Sequence, residues 1–196
     1  HAIIAQIVLN ASKMLAYQKL FKAIAEDTPG DKWLANYNLL QAGYRQWFLK
    51  EGELNRPNYL ECKNALTEHL PELVPLWNKL LKLTQADDIA ARMLSLYCPT
   101  PYVTGCAQAV WTRYNPILVR NYDYNPALSE GILLKSKWHD TQVIAMTDCL
   151  WGVLDGMNEH GLCVSLTFAG KNEVTAGFGI PLILRYILEF CKNIEQ

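Results

Sequence analysis

The first half of the chain carries apolar residues at the spacing of α-helices. The clearest stripe steps by three or four residues and consists of aromatic residues and leucine: Trp33, Tyr37, Leu40, Tyr44, Trp47 and Phe48. Residues at this spacing lie on one face of a helix, so the stripe predicts an amphipathic helix that packs on a core. A shorter stripe, formed by Met14, Tyr17, Phe21 and Ile24, predicts an earlier helix that ends at Thr28-Pro29-Gly30.

Three further helices are predicted before residue 98. The first begins after Arg56-Pro57 with Asn58 as its cap, the second opens at Pro71-Glu72, and the third is capped by Asp87 or Asp88. A Pro-Thr-Pro sequence follows the last of them. It ends the helical region, because proline lacks the N–H that a continuing helix needs and restricts the residue before it.

Beyond residue 101 the pattern changes to short β-prone runs separated by turn residues. Six runs are predicted as strands: residues 106–111, 117–122, 132–138, 143–147, 150–157 and 162–168. Asn158-Glu159-His160-Gly161 is typical of a tight turn, since asparagine and glycine accept positive φ. An apolar segment over residues 180–191 predicts a last helix packed on the sheet. Closely spaced strands favour an antiparallel meander, so the whole chain is predicted to be α+β.

Composition and charge exclude several classes of function. The 196 residues are 51% apolar and 19% charged, with 18 lysines and arginines against 19 aspartates and glutamates. There is no basic patch, basic helix face or apolar run of about 20 residues, so we expect no nucleic-acid partner and no membrane partner. The six cysteines and four histidines are scattered, which predicts no metal site, and we expect no cofactor. The cysteine usage favours a reducing cytoplasm.

The most informative position is Gly105-Cys106, where a cysteine begins the first of these strands directly after the helical region. The thiol of Cys106 can attack the unhindered Gly105 carbonyl in an N-to-S acyl shift. Hydrolysis of the resulting thioester then leaves Cys106 with a free α-amine. Such an amine titrates near neutral pH and can act as the general base for its own thiol. A lone cysteine that enters a strand is otherwise most often a small buried apolar residue.

Two charged residues of the next strand complete the candidate site. Arg120 can hold a thiolate or a substrate carboxylate through its fork of donors, and Asp123 can orient the α-ammonium of Cys106. Positions 120 and 123 face opposite sides of an ideal strand. Both reach one site only if the strand bulges or ends near Asn121-Tyr122. An ordinary surface ion pair between them is the alternative.

Three motifs stand in order along this half of the chain: Gly105-Cys106, residues 118–124 (Leu-Val-Arg-Asn-Tyr-Asp-Tyr) and residues 155–162 (Asp-Gly-Met-Asn-Glu-His-Gly-Leu). Together they resemble the isopenicillin N acyltransferase (acyl-coenzyme A:6-aminopenicillanic acid acyltransferase) family of N-terminal nucleophile (Ntn) hydrolases. They are also similar to the related choloylglycine hydrolases and penicillin V amidases. The similarity is clearest over residues 94–194.

This resemblance implies an αββα sandwich, self-cleavage before Cys106 and attack of Cys106 on an amide or acyl donor. Arg120 and Asp123 match the arginine and aspartate that the family places beside the nucleophile. Thr167 matches a position whose backbone N–H contributes to the oxyanion hole. Residues 1–105 then correspond to a helical pro-segment and residues 106–196 to the first part of the sandwich. In the family a second oxyanion residue comes from strands beyond the last helix, so we expect the sandwich to be incomplete at the C-terminus.

The predicted function is an autoprocessing N-terminal-cysteine amidohydrolase or acyltransferase that acts on small-molecule amides or acyl thioesters. Cys106 serves both reactions, because either water or an amine can resolve the thioester. Two alternatives stay open. One is a non-catalytic protein that binds a partner through a groove containing Trp33, Trp47 and Trp77, and the other is an inactive fragment of the same fold. The sequence leaves the oligomeric state, including a homo-oligomer, open.

Overall fold

The computed structural model describes residues 20–101, 105–123, 128–167 and 173–196. The strands are β1 (Lys22–Glu26), β2 (Cys106–Trp111), β3 (Ile117–Tyr122), β4 (Ile132–Ser136), β5 (Val143–Asp148), β6 (Gly152–Asn158) and β7 (Cys163–Ser165). The helices are α1 (Asp31–Phe48), α2 (Tyr59–His69), α3 (Val74–Thr84), α4 (Asp88–Ser95) and α5 (Ile180–Phe190), with short 3-10 turns at Glu53–Asn55 and Pro71–Leu73. None of the helices within these ranges combines the length and the apolar character that a bilayer crossing needs.

Five strands form one sheet in the order β1-β4-β5-β6-β7, and β2 and β3 form a separate antiparallel hairpin. The neighbours from β4 to β7 run antiparallel, which confirms the predicted meander for these four strands. β1 instead pairs parallel with β4, with Ile24 opposite Leu134. Helices and sheets together confirm the α+β class.

The helix predicted to end at residues 28–30 is wrong over its described part. Residues Lys22–Glu26 form strand β1, in which only Ile24 is buried. The run Ala23-Ile24-Ala25 is short, and a short apolar run fits a strand as well as a helix. Parallel pairing with β4 decides between the two. The first two residues of that stripe lie outside the described part of the chain.

The helices cover one face of the five-stranded sheet. Side chains alternate along β4 and β5, so that Leu134 and Val143 are buried while Leu133 and Ile144 are exposed. Helix α5 packs Leu188 into the buried face beside Val143. The sheet therefore has one face in the core and one face that is accessible.

The larger of the two apolar clusters in the described part of the chain includes residues from before and after Cys106. Trp33 and Trp77 of the helical region lie in the same cluster as Trp151. Trp33 and Trp77 are buried and Trp47 is half-buried, so these three tryptophans do not form the exposed groove that a partner-binding function would use. The boundary predicted before the cysteine does not divide this core, and it stays a prediction about processing.

Helix α1 begins without a capping side chain of its own, because Gly30 occupies the N-cap. The carboxylate of Glu26, at the end of β1, takes this role. Its two oxygens accept hydrogen bonds from Lys32 N and Trp33 N, each at 3.0 Å. Negative charge at a helix N-terminus is also favoured by the helix dipole. β1 thus joins the sheet and caps α1 at once.

The caps predicted for α2 and α4 are confirmed. Asn58 forms a capping box with Glu61, in which each side chain accepts from the other residue's backbone N–H. Asp87 accepts from Ala90 N at 2.8 Å. This backbone hydrogen bond, together with the nearby Arg45, holds the pKa of Asp87 below its usual value.

A buried polar cluster connects α1 to the turn after β5. The hydroxyl oxygen of Tyr44 lies 2.6 Å from Glu130 Oε1 and 2.7 Å from Asp148 Oδ1, and it accepts a hydrogen bond from Cys149 N. The tyrosine hydroxyl has one proton and can donate it to only one of the two carboxylates. The other carboxyl group must itself be protonated, so that it donates a hydrogen bond to the hydroxyl oxygen. Burial, reinforced by the Asp148 carboxylate, raises the pKa of Glu130. Burial and both carboxylates raise the pKa of Tyr44 well above its usual value.

Candidate active site

The hairpin of β2 and β3 places the chemically active side chains on one of its faces. In its register Cys106 lies opposite Tyr122, and Gln108 lies opposite Arg120. Side chains alternate between the two faces of a strand, so these four share a face while Val119 points to the other. Burial follows the same alternation, since every second residue of β3 is half-buried and those between are exposed.

The guanidinium of Arg120 lies against the sulfur of Cys106. Its Nη2 donates to Cys106 Sγ at 3.0 Å, and its Nη1 donates to Leu154 O at 2.9 Å and to Ser165 Oγ at 3.4 Å. Only 5% of the arginine side chain is exposed. A fixed and poorly hydrated cation at this distance stabilises negative charge on the sulfur more than an exposed cation would.

Asp155 and Tyr122 hold the guanidinium in place. Asp155 Oδ2 lies 3.6 Å from Arg120 Nη1 and accepts a hydrogen bond from the Tyr122 hydroxyl. The guanidinium carbon of Arg120 is 4.3 Å from the centroid of the Tyr122 ring, which is a cation–π distance. Ser165, paired with Asp155 across β6 and β7, accepts from Gln108 Nε2 at 2.9 Å. These contacts fix the arginine between the hairpin and the large sheet.

The backbone of Asp123 lies directly opposite Gly105. Strand β3 ends at Tyr122, and the next residue donates from Asp123 N to Gly105 O at 2.8 Å. A Cβ on residue 105 would lie 3.1 Å from Asp123 O and 3.2 Å from Asp123 Cβ, so glycine alone fits here without a backbone shift. The carboxylate of Asp123 accepts a hydrogen bond from Asn121 Nδ2. Of the two possibilities that the sequence left open, a bulge or an end of the strand, the structure shows an end at Tyr122. The described contact of Asp123 with the Gly105-Cys106 segment is made by its backbone.

Thr167 lies beyond the last strand of the sheet. Strand β7 ends at Ser165, so it is shorter than the strand predicted over residues 162–168. Thr167 follows two residues later and is exposed. Within the described ranges no hydrogen bond joins it to Cys106. Its backbone role in an oxyanion hole stays a prediction.

The segment Asn158-Glu159-His160-Gly161 forms the predicted turn. The side-chain oxygen of Asn158 accepts from His160 N at 3.1 Å, and its amide donates to Leu188 O at 3.0 Å. Gly161 has φ of 83°, in the region that favours glycine. Asn158 therefore joins the turn to helix α5, and the turn is a structural element at the end of β6.

Sequence reasoning assigned no role to Asp155, Tyr122 or Ser165. Asp155 and Tyr122 lie in the motifs that carry the family resemblance, so their positions could have indicated that they belong to the site. Their contacts depend on the register of β6 against β7, in which Asp155 faces Ser165. A slip of one residue would move each side chain to the other face of the sheet, and this register is not visible in the sequence.

One of the comparisons with known proteins gives a family match. Residues 111–196 match the sequence model of the family described as "Acyl-coenzyme A:6-aminopenicillanic acid acyl-transferase". The match covers Arg120, Asp123, Asp155 and Thr167, and it begins five residues after Cys106. A search of curated proteins gives no match, and neither does a search of solved structures. The resemblance indicated by the motifs is thereby confirmed: over residues 111–196 the chain is similar to the acyl-coenzyme A:6-aminopenicillanic acid acyl-transferase family.

Proposed function

We propose that this protein is a cysteine-type Ntn amidohydrolase or acyltransferase that cleaves its own chain before Cys106. It then acts on linear amide C–N bonds or acyl donors through a thioester. The observation that carries the proposal is the 3.0 Å contact between Arg120 Nη2 and Cys106 Sγ. The family match supports acyl-transfer chemistry in general. The proposed setting is an αββα sandwich that includes residues 106–196, in a cytoplasmic protein.

The surroundings of Cys106 differ from those of a structural cysteine. Cys106 is half-buried and its sulfur accepts a hydrogen bond from a guanidinium. Cys62, by contrast, is completely buried in the core, where burial raises the pKa of its thiol. Reactive cysteines are typically accessible and lie beside a positive group, whereas buried structural ones are inert. Cys106 therefore fits the role of a nucleophile.

Self-cleavage is the first proposed reaction. The sulfur of Cys106 forms a bond to the carbonyl carbon of Gly105, the C–N bond of that peptide breaks, and the thiol proton ends on the released amine. Water then hydrolyses the thioester, which leaves a Gly105 carboxylate and a Cys106 residue with free thiol and α-amine. Arg120 stabilises the sulfur while its proton leaves.

The second proposed reaction uses the new N-terminus. The α-amine of Cys106 takes the thiol proton, and the sulfur attacks the carbonyl carbon of a small-molecule amide or acyl thioester. The leaving group departs with a proton while the acyl group stays on Cys106. Water completes hydrolysis, and an amine completes acyl transfer. In this scheme the carboxylate of Asp123 orients the α-ammonium, and the N–H of Thr167 contributes to the oxyanion hole.

Intact-mass analysis of the full chain tests the first reaction. We expect the parent to give two fragments separated at Gly105-Cys106 and the Cys106→Ala variant to stay whole. Cys163→Ala is the matched control, because Cys163 is an exposed thiol outside the contacts of Arg120, and it should be cleaved like the parent. Cleavage that persists in Cys106→Ala, or a parent that is never cleaved, would refute the proposal.

The second reaction is tested on the cleaved protein. Incubation with a small acyl thioester should place the acyl group on the peptide that begins at Cys106, as seen by peptide mass. Addition of an amine acceptor should then discharge this adduct faster than water alone if transfer is the dominant outcome. An adduct that forms equally on Cys163 would show that the chemistry is not specific to the site.

A further inference from the structure

The carbonyl group that self-cleavage would attack already has a hydrogen-bond donor. Asp123 N donates to Gly105 O at 2.8 Å, at the point where β3 has ended and the hairpin ladder makes its last described contact. Arg120 directs its Nη2 to the sulfur and its Nη1 to Leu154 O and Ser165 Oγ. The described contacts thus give the sulfur a cation and the carbonyl oxygen a separate backbone donor.

The β2–β3 register keeps that donor aligned. Cys106 faces Tyr122 in this register, which makes residues 105 and 123 the next opposed pair. In an antiparallel ladder, hydrogen-bonded pairs alternate with pairs whose side chains lie closer together. Gly105 and Asp123 are a hydrogen-bonded pair, so the carbonyl oxygen of Gly105 points across to the N–H of Asp123. A Cβ at residue 105 would lie only 3.1 Å from Asp123 O, so the absence of a side chain at Gly105 allows this approach of the two backbones.

We propose that the backbone N–H of Asp123 is the oxyanion donor for self-cleavage at Gly105. This inference rests on the proposed function and names a group that acts in its first reaction. As the sulfur of Cys106 bonds to the carbonyl carbon, the electron pair of the C=O bond moves to the oxygen, which becomes negative. That charge grows on the atom that Asp123 N already contacts. When the C–N bond breaks, the pair returns to the carbonyl and the nitrogen takes the proton.

The proposal assigns Asp123 a role that does not depend on where its carboxylate points. A backbone N–H fixed in a ladder needs no reorganisation when charge develops, which is the property that makes such donors effective. It also accounts for glycine at position 105, since a side chain there would displace the donor from the carbonyl.

The test replaces the N–H of residue 123 by an ester oxygen, with the α-hydroxy analogue of aspartate incorporated at that position. The matched control places the α-hydroxy analogue of valine at Val119, which pairs with Ala109 four residues further along the ladder. By the alternation of the ladder, Val119 belongs to a hydrogen-bonded pair too. Each ester removes one ladder donor, but only the ester at 123 removes the donor to the attacked carbonyl.

We expect the ester at 123 to slow self-cleavage by about 10²–10³-fold, the usual cost of one oxyanion donor, and the ester at 119 to leave the rate close to the parent's. Equal rates for the two esters, or a 123 ester cleaved as fast as a cleaved parent, would overturn this inference alone. A parent that stays whole overturns the proposed self-cleavage and this inference together.

Amide hydrogen exchange gives an independent check that needs no ester to fold. In the uncleaved Cys106→Ala chain the amide of Asp123 should exchange much more slowly than an exposed amide, because it donates to Gly105 O. An amide at 123 that exchanges at the rate of an unstructured peptide would show that no such donor is in place, and would overturn the inference.

Discussion

Arg120→Lys is the substitution that most directly tests the chemistry of the site. The guanidinium donates to Cys106 Sγ at 3.0 Å while its other nitrogen is held by Leu154 O and Ser165 Oγ. A lysine keeps the positive charge but has a single ammonium at the end of a flexible chain. It cannot contact the sulfur and both oxygens in the planar arrangement that the arginine adopts. We therefore expect the reactivity of Cys106 to fall although the formal charge is unchanged.

The expected size of the effect follows from the one contact that is lost. A hydrogen bond that involves a charged group is worth about 1.5–3 kcal/mol, and about 1.4 kcal/mol corresponds to a tenfold change in rate. If the lysine withdraws its donor from the sulfur, the rate of self-cleavage should fall by about 10- to 150-fold. Alkylation of Cys106 by iodoacetamide should slow in the same sense, because the attacking sulfur no longer has the guanidinium donor beside it.

The assay follows both rates on the same preparation. Intact mass gives the cleaved fraction with time, and peptide mapping gives the alkylated fraction of Cys106 apart from the other five cysteines. Arg113→Lys is the matched control, because Arg113 is an exposed arginine in the turn of the same hairpin, above Trp111. Its variant should match the parent in both rates. If Arg120→Lys cleaves and alkylates as fast as Arg113→Lys, the guanidinium does not activate the sulfur and the reasoning is wrong.

Three other outcomes are expected. Gly105→Ala should slow self-cleavage about tenfold, because its Cβ forces the Asp123 backbone to move by a few tenths of an ångström. The control Gly43→Ala lies in open space on α1, so it should leave cleavage unchanged and stabilise the fold by roughly 0.5–1 kcal/mol. Equal cleavage rates for the two variants would contradict the effect expected at Gly105. Glu26→Gln should lower the free energy of unfolding by about 1 kcal/mol in urea titration, since it weakens the cap of α1. An unchanged free energy of unfolding would show that the Glu26 carboxylate does not stabilise this helix. The folded state holds the proton of Glu130 to higher pH than the unfolded chain does. The free energy of unfolding should therefore fall as pH rises from the ordinary glutamate range through the raised pKa. Glu130→Gln should lose this pH dependence of stability, and a variant that retains it would show that the proton is held by another group.

Much of the fold was predictable from local pattern. Helices α2 and α4 were predicted from cap residues, Asn58 and Asp87, whose side chains bond to the backbone within the same turn. The strands β2 and β3 were predicted with the bounds that the structure shows. Such signals are carried by neighbours in the sequence. Strand β1 was missed because its pairing partner Ile132–Ser136 lies more than a hundred residues away, and Ala-Ile-Ala has no period of its own.

The candidate site was predictable only in its outline. The residues predicted to surround the nucleophile include Arg120, which the structure brings to the sulfur of Cys106. For Asp123, sequence reasoning considered the side chain alone, and side-chain alternation then required the strand either to bulge or to end. Strand β3 does end at Tyr122, and the backbone N–H of Asp123 donates a hydrogen bond to the carbonyl oxygen of Gly105. The supporting residue Asp155 comes from another sheet, and strand spacing gives no information about such a contact.

The contacts that prepare the site for chemistry are also those that attach the hairpin to the sheet. Arg120 and Tyr122 reach Asp155, and Gln108 reaches Ser165, while the opposite face of the hairpin is exposed. A substitution at Arg120 therefore affects both the hydrogen-bond donor to the sulfur and the docking of the hairpin. Tyr122→Phe separates the two effects, because it removes the hydroxyl contact with Asp155 and leaves the guanidinium donor. If the guanidinium donor to the sulfur governs reactivity, Tyr122→Phe must retain most of the alkylation rate that Arg120→Lys loses. If docking of the hairpin governs reactivity, the two variants must lose this rate alike.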